Sequence, residues 1–103
     1  MVLVPLADVT AHSADGQVRW LGRAKLAGRI NREVVVLRTP DGLRAVRAHC
    51  PHRGVSLLLG RFDVEAGTLE CPGHGWQLPL AGEELAALPV VEQDGVLFVQ
   101  LPD

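Results

Sequence analysis

Hydrophobic positions along the chain fall into short runs cut at close intervals by turn residues. The runs predict strands over Val18–Leu21, Glu33–Arg38, Leu43–Ala48, Thr68–Glu70 and Gly95–Leu101. Val34, Val35, Val36 and Leu37 are continuously apolar, the pattern of a buried strand. Thr39-Pro40-Asp41-Gly42 predicts a turn between two such strands, and Asp94-Gly95 predicts a hairpin joining Pro89–Glu92 to Val96–Leu101. Gly28 to Asn31 marks one more turn. Ala24–Ile30 and Glu83–Leu88 come nearest to helical periodicity, but both are short and lack convincing caps. There are no repeats, low-complexity segments or linkers. The expected fold class is all-β and antiparallel, with turns about every 8–12 residues.

Composition narrows the classes. A chain of 103 residues, 48% of them hydrophobic, predicts one domain over 1–103 with a real core. The net charge of −2 argues against a general nucleic-acid binder. No apolar run is long enough to cross a bilayer. The opening MVLVPLADV has no basic segment and is cut by Pro5 and Asp8, so the expectation is a cytoplasmic chain without a signal peptide. Residues 1–61 carry a net +6 and residues 62–103 a net −8. A β fold that interleaves the two halves would cancel this asymmetry in space. A docking surface for a charged partner is the other reading.

The two cysteines each stand near a histidine, in AHCPHRGVSLLLG (48–60) and ECPGHGWQL (70–78). One residue separates Cys50 from His52, two separate Cys71 from His74, and 18 lie between His52 and Cys71. In a reducing compartment, metal binding or catalysis is a better reading than a disulfide. Thiolate and imidazole are the commonest side-chain ligands for soft or borderline metals, and four such groups suffice for one centre. Pro51 and Pro72 push the preceding cysteines towards extended backbone. Gly54, Gly73 and Gly75 let backbone N–H groups approach buried anions. Leu57–Leu59 and Phe62 are expected to tie the first loop to the scaffold, with Trp20 and Phe98 in the core and His12 in a surface loop. Arg53 reads either as a partner contact or as a solvated side chain. A structural Cys₂His₂ zinc site, in an interaction module, is the alternative, although zinc modules usually pair Cys with Cys and His with His.

The pattern Cys-x-His, then Cys-x-x-His, with the strings CPHRG and CPGHGW, resembles the Rieske iron–sulfur family. VVVLRTPDGLRAVRAHCPH is similar to that family's two strands leading into its first loop, and PVVEQDGVLFVQL to its closing hairpin. The resemblance implies stacked small antiparallel sheets with a cluster-binding subdomain at about 46–80. It implies a [2Fe–2S] cluster with Cys50 and Cys71 on one iron and His52 and His74 on the other, so that each loop serves both irons. Gly54, Gly73, Gly75 and Trp76 would surround it, with the histidine edge facing out and His49 turned away. The chain departs from the family's pattern in three places. The 18-residue gap is slightly long, Gly73 stands where many relatives have a larger side chain, and Leu78-Pro79 replaces the aromatic–acid pair of the oxygenase branch. The last departure argues against a close kinship with that branch.

Two neutral imidazoles in place of thiolates raise such centres to about −150 to +300 mV, against about −400 mV for four-cysteine plant-type centres. High-potential members of the family add a disulfide between the loops, a serine after the second His-Gly and a nearby tyrosine. Here there is no third cysteine, Trp76 holds the serine position and there is no tyrosine, so the potential is expected near the low end. The family's ferric iron acidifies the ligand N–H groups, so the potential should fall at alkaline pH. The resulting expectation is a monomeric ferredoxin, not itself an enzyme, carrying single electrons from a flavoprotein reductase to a terminal oxygenase. A small Rieske subunit of another redox enzyme, such as a nitrite reductase, is the alternative. An oxygenase in its own right would need a second iron site, and only His12 and His49 remain to build one.

Overall fold

The computed structural model describes residues 2–14, 16–25, 31–50, 56–72, 75, 77–80, 82, 85 and 87–101. Ten strands run in chain order: β1 (Val2–Pro5), β2 (Ala7–Ala14), β3 (Gln17–Lys25), β4 (Asn31–Thr39), β5 (Gly42–Arg47), β6 (Phe62–Asp63), β7 (Thr68–Glu70), β8 (Gln77–Pro79), β9 (Leu88–Gln93) and β10 (Val96–Leu101). A seven-stranded sheet has the order β1-β10-β9-β5-β4-β3-β2, and a three-stranded sheet the order β6-β7-β8. Every neighbouring pair is antiparallel. β9 and β10, from the acidic half of the sequence, lie between β1 and β5, from the basic half. The halves are therefore interleaved in the large sheet.

The apolar run of β4 explains how the two sheets come together. Side chains alternate between the faces of a strand. Val34 and Val36 enter one buried cluster, with Leu6, Ala24, Ala45, Val90, Leu97 and Val99. Val35 and Leu37 enter another, with Val46, Ala48, Leu57, Phe62, Leu69, Leu78, Leu80 and Leu85. The first cluster lies on the inner face of the large sheet, which curls until β1 approaches β3. The second holds the small sheet against the outer face. A strand covered on both faces needs this uninterrupted β-branched run.

The predicted turns have the backbone that their residues favour. Thr39 pairs with Gly42 across Pro40-Asp41, and the Thr39 hydroxyl donates to the Gly42 carbonyl at 2.7 Å. Asp94 and Gly95 both adopt positive φ (52° and 80°), as a two-residue type I′ hairpin requires. The predicted turn at Gly28 to Asn31 lies outside the described residues, except that Asn31 opens β4. Of the two near-helical segments, Ala24 and Lys25 end β3 and Leu88 opens β9. Leu85 and Ala87 are described outside the strands, and the rest lies outside the described residues.

Several expectations are corrected. β1, β2, β6 and β8 are strands beyond those predicted from the sequence. His12 is on β2, not in a loop. Phe98 is only partly buried and belongs to neither cluster, because on β10 it faces opposite to Leu97 and Val99. Trp20 is partly buried against the inner cluster, with the Arg38 guanidinium 5.8 Å from its ring centroid.

Candidate metal centre

The first loop leaves β5 and is closed at its base by backbone pairing. The Leu57 N–H donates to the Ala48 carbonyl at 2.7 Å, and His49 and Ser56 form an isolated antiparallel bridge. Cys50 is the first residue inside this neck, and 2% of its surface is exposed. Leu57 is fully buried and Leu58 packs against the same cluster. Leu59, expected to help tie the loop down, is instead 68% exposed. The anchors are therefore Leu57 and Phe62, with Leu58 in support.

The second loop joins β7 to β8. Glu70 pairs with Gln77, which leaves residues 71–76 as the connection. Cys71 again stands first inside the neck and is 0% exposed. Its carbonyl accepts a hydrogen bond from the Gly75 N–H at 2.8 Å, and Gly75 has a φ of 72°. Such a turn closes with a left-handed residue, for which glycine carries no Cβ penalty. Outside the neck, the Gln77 amide donates to Glu70 Oε1 at 2.8 Å, and the Thr68 hydroxyl donates to Gln77 Oε1 at 3.1 Å.

The two loops are locked together. The Glu70 N–H donates to the Arg61 carbonyl at 2.8 Å, and the Gly60 N–H to the Leu57 carbonyl at 3.0 Å. A Cβ built on Gly60 would collide with the Glu70 carbonyl oxygen, so the backbone leaving the first loop lies directly on the backbone entering the second. Cys50 and Cys71 thus belong to one apolar cluster, and no disulfide joins them.

Of the other predicted site residues, His52, Gly54, His74, Gly73 and Trp76 lie outside the described residues, as do Pro51 and Arg53. Among the described residues, no group of three or more His, Cys, Asp and Glu side chains is placed to hold a metal. His49 lies half-exposed with Nε2 4.0 Å from Glu33 Oε1. The His12 Nε2 is 2.8 Å from the Thr10 hydroxyl.

Two buried sulfurs at the necks of abutting loops, each with a histidine two or three residues further on, make a donor set of the right chemistry for a thiolate–imidazole iron–sulfur group. Thiolates are costly to bury in an apolar cluster unless a cation or metal compensates them.

Sequence reasoning did not single out Arg19 or Gly60. Arg19 is fully buried, with Nη1 2.7 Å from the Leu58 carbonyl. Its signal was its parity: within Val18–Leu21 it shares a strand face with Leu21, which packs against the outer cluster. No local signal marks Gly60, whose neighbour Glu70 is ten residues away.

The profile of the Rieske [2Fe-2S] domain matches residues 9–98. The chain is 34% identical over 90 residues to the 3-chlorobenzoate-3,4-dioxygenase oxygenase subunit of Comamonas testosteroni, covering 70% of this chain and 20% of that protein. It is 33% identical over 78 residues to chlorophyllide a oxygenase of Arabidopsis thaliana (63% of this chain, 14% of that protein). It is 34% identical over 86 residues to a cholesterol 7-desaturase of Bombyx mori (68% and 18%). The chain therefore spans a fifth or less of these relatives. Since two of them are named oxygenases, Leu78-Pro79 does not set the chain apart from that branch as expected. No solved structure matches the chain.

Proposed function

The chain belongs to the Rieske [2Fe-2S] domain family, and from that premise we propose that it is a low-potential ferredoxin. It carries single electrons from a flavoprotein reductase to a terminal oxygenase, as a monomer in the cytoplasm and without bond chemistry of its own. Residues 1–103 act as one domain, and the part from about 46 to 80 holds the cluster. Cys50 and Cys71 bind one iron, and His52 and His74 the other. Gly54, Gly73, Gly75 and Trp76 line the surrounding shell. Bound there, the cluster accepts and returns one electron at a time.

The observation that carries this reading is the placement of Cys50 and Cys71 at equivalent neck positions of two interlocked loops, both buried in one apolar cluster. The neck pairings at Ala48–Leu57 and Glu70–Gln77 fix where each loop begins, so the cysteine sulfurs are held by the scaffold. The family resemblance implies a surface-facing histidine edge, which is the proposed route for electrons. The low potential is supported by the missing third cysteine, the absence of tyrosine and Trp76 at the serine position. Relatives named as oxygenases support a role in electron supply to oxygenase chemistry. Among the described residues no helix is long and apolar enough to cross a membrane.

A second reading is favoured by one observation: the aligned relatives are oxygenase and desaturase chains themselves. On that reading the same module serves as the cluster domain of such an enzyme. Anaerobic redox titration and stopped-flow reduction separate the two. A ferredoxin takes electrons from NADH and a flavoprotein reductase, titrates reversibly near about −150 mV and passes electrons on to a separately purified oxygenase. A potential above about +100 mV, or electron transfer only while attached to a catalytic polypeptide, contradicts the ferredoxin proposal.

A further inference from the structure

Arg19 is a charged side chain with no exposed surface, in the middle of β3. On the same strand Leu21 packs against the cluster that contains Cys50 and Cys71, and alternation along the strand directs Arg19 to that face. The Trp20 and Ala24 side chains turn to the opposite face and its separate cluster. Arg19 Nη1 donates to the Leu58 carbonyl at 2.7 Å, a link across 39 residues of sequence. A buried guanidinium is costly, so one retained at this place needs a structural return.

The return lies in what Leu58 is attached to. Leu58 N donates to the Ser56 hydroxyl at 3.3 Å, Leu57 N closes the loop neck on Ala48, and Ser56 bridges His49, the residue before Cys50. The segment Ser56–Leu58 is thus one wall of the first loop's neck, and Cys50 is the first residue inside the other. We propose that Arg19 is a positioning residue for the first cluster loop: its guanidinium pins the returning wall of the neck from β3, and so sets how firmly and in what geometry the loop grips the cluster. The donor to the Leu58 carbonyl is charged, and such a hydrogen bond is stronger than one between neutral groups. The inference rests on the proposed use of the two loops as the cluster site.

The test compares Arg19→Met, Arg19→Lys and Val99→Ala with the unaltered protein, all reconstituted with iron and sulfide. Val99 is fully buried in the opposite cluster, so its truncation weakens the fold without touching the loop. The readouts are urea stability, the rate of cluster loss to a chelator, and the EPR spectrum of the reduced state. Arg19→Met is expected to release the cluster about tenfold faster, the rate equivalent of about 1.4 kcal/mol, with altered g-values. Arg19→Lys should be intermediate, because an ammonium on a flexible stem keeps the charge and a donor but reaches the Leu58 carbonyl less well. Val99→Ala should lose stability yet keep the unaltered EPR spectrum and release rate. Release and spectra in Arg19→Met that match those of Val99→Ala overturn the proposal. If Arg19→Met does not fold, an Arg19→Lys variant indistinguishable from the unaltered protein in both readouts overturns it equally. Absence of iron and acid-labile sulfide from the unaltered protein is a different failure, that of the cluster reading itself.

Discussion

Substituting Gly60 by alanine tests the interlock of the two loops. Gly60 is not among the residues with positive φ, so alanine meets no backbone penalty there. The whole effect is steric, since the new Cβ would strike the Glu70 carbonyl, which is backbone and cannot swing aside. Relief requires the exit of the first loop and the entry of the second to separate, which strains the 2.8 Å hydrogen bond from the Glu70 N–H to the Arg61 carbonyl. Forced backbone shifts of this kind cost about 1–3 kcal/mol and a lost hydrogen bond about 0.5–1.5, so the expected total is about 2–4 kcal/mol. Gly67→Ala is the matched control: Gly67 has a φ of 67° and open space around its Cβ position, so only the conformational cost of about 1–2 kcal/mol applies. Urea unfolding gives the stability of both variants, and visible absorbance gives their cluster content. Gly60→Ala should be the less stable and should hold less cluster at equal loading. A Gly60→Ala protein at least as stable as Gly67→Ala, with full cluster content, refutes the interlock.

Cys71→Ser should abolish the cluster's visible absorbance, because the second loop contributes its only thiolate there; retention of the full spectrum after reconstitution contradicts the ligand assignment. His74→Cys should lower the midpoint potential towards the four-cysteine value of about −400 mV wherever the cluster survives, since a negative charge returns to one iron; protein-film voltammetry reads this directly, and an unchanged or raised potential counts against it. Gln77→Ala removes two hydrogen bonds among exposed side chains on β7 and β8. Each such bond contributes about 0.5–1.5 kcal/mol, at the low end when exposed, so the variant should unfold within about 1–2 kcal/mol of the unaltered protein by urea titration and keep its cluster.

The parts of the fold that were legible in the sequence are those in which local chemistry and tertiary demand agree. Val34–Leu37 reads as a buried strand because both faces of β4 are covered. The Pro40-Asp41 and Asp94-Gly95 turns carry residues suited to their backbone geometry. β2 was hidden for the opposite reason. Ala7, Val9 and Ala11 do alternate with Asp8, Thr10 and His12, but two of these three apolar residues are small alanines, most of the segment is exposed, and it is a strand through its pairing with β3 at the sheet edge. β6 and β8 are two and three residues long, each with one buried side chain, Phe62 and Leu78, too little for a periodic signal. At the site, the types and spacings of the cysteines and histidines could be read in the sequence as a candidate donor set. The contacts that hold the loops were not, because Arg19 meets Leu58 and Gly60 meets Glu70 only once the chain has folded.

The two loops that begin at Cys50 and Cys71 are proposed to hold the binuclear cluster. Iron and acid-labile sulfide analysis, combined with EPR of the dithionite-reduced protein, tests this proposal most directly. Two irons and two sulfides per chain are expected, as the family's [2Fe-2S] cluster requires, with a spectrum that disappears on reoxidation. A single zinc ion per chain, with no labile sulfide and no EPR signal on reduction, would contradict the proposal.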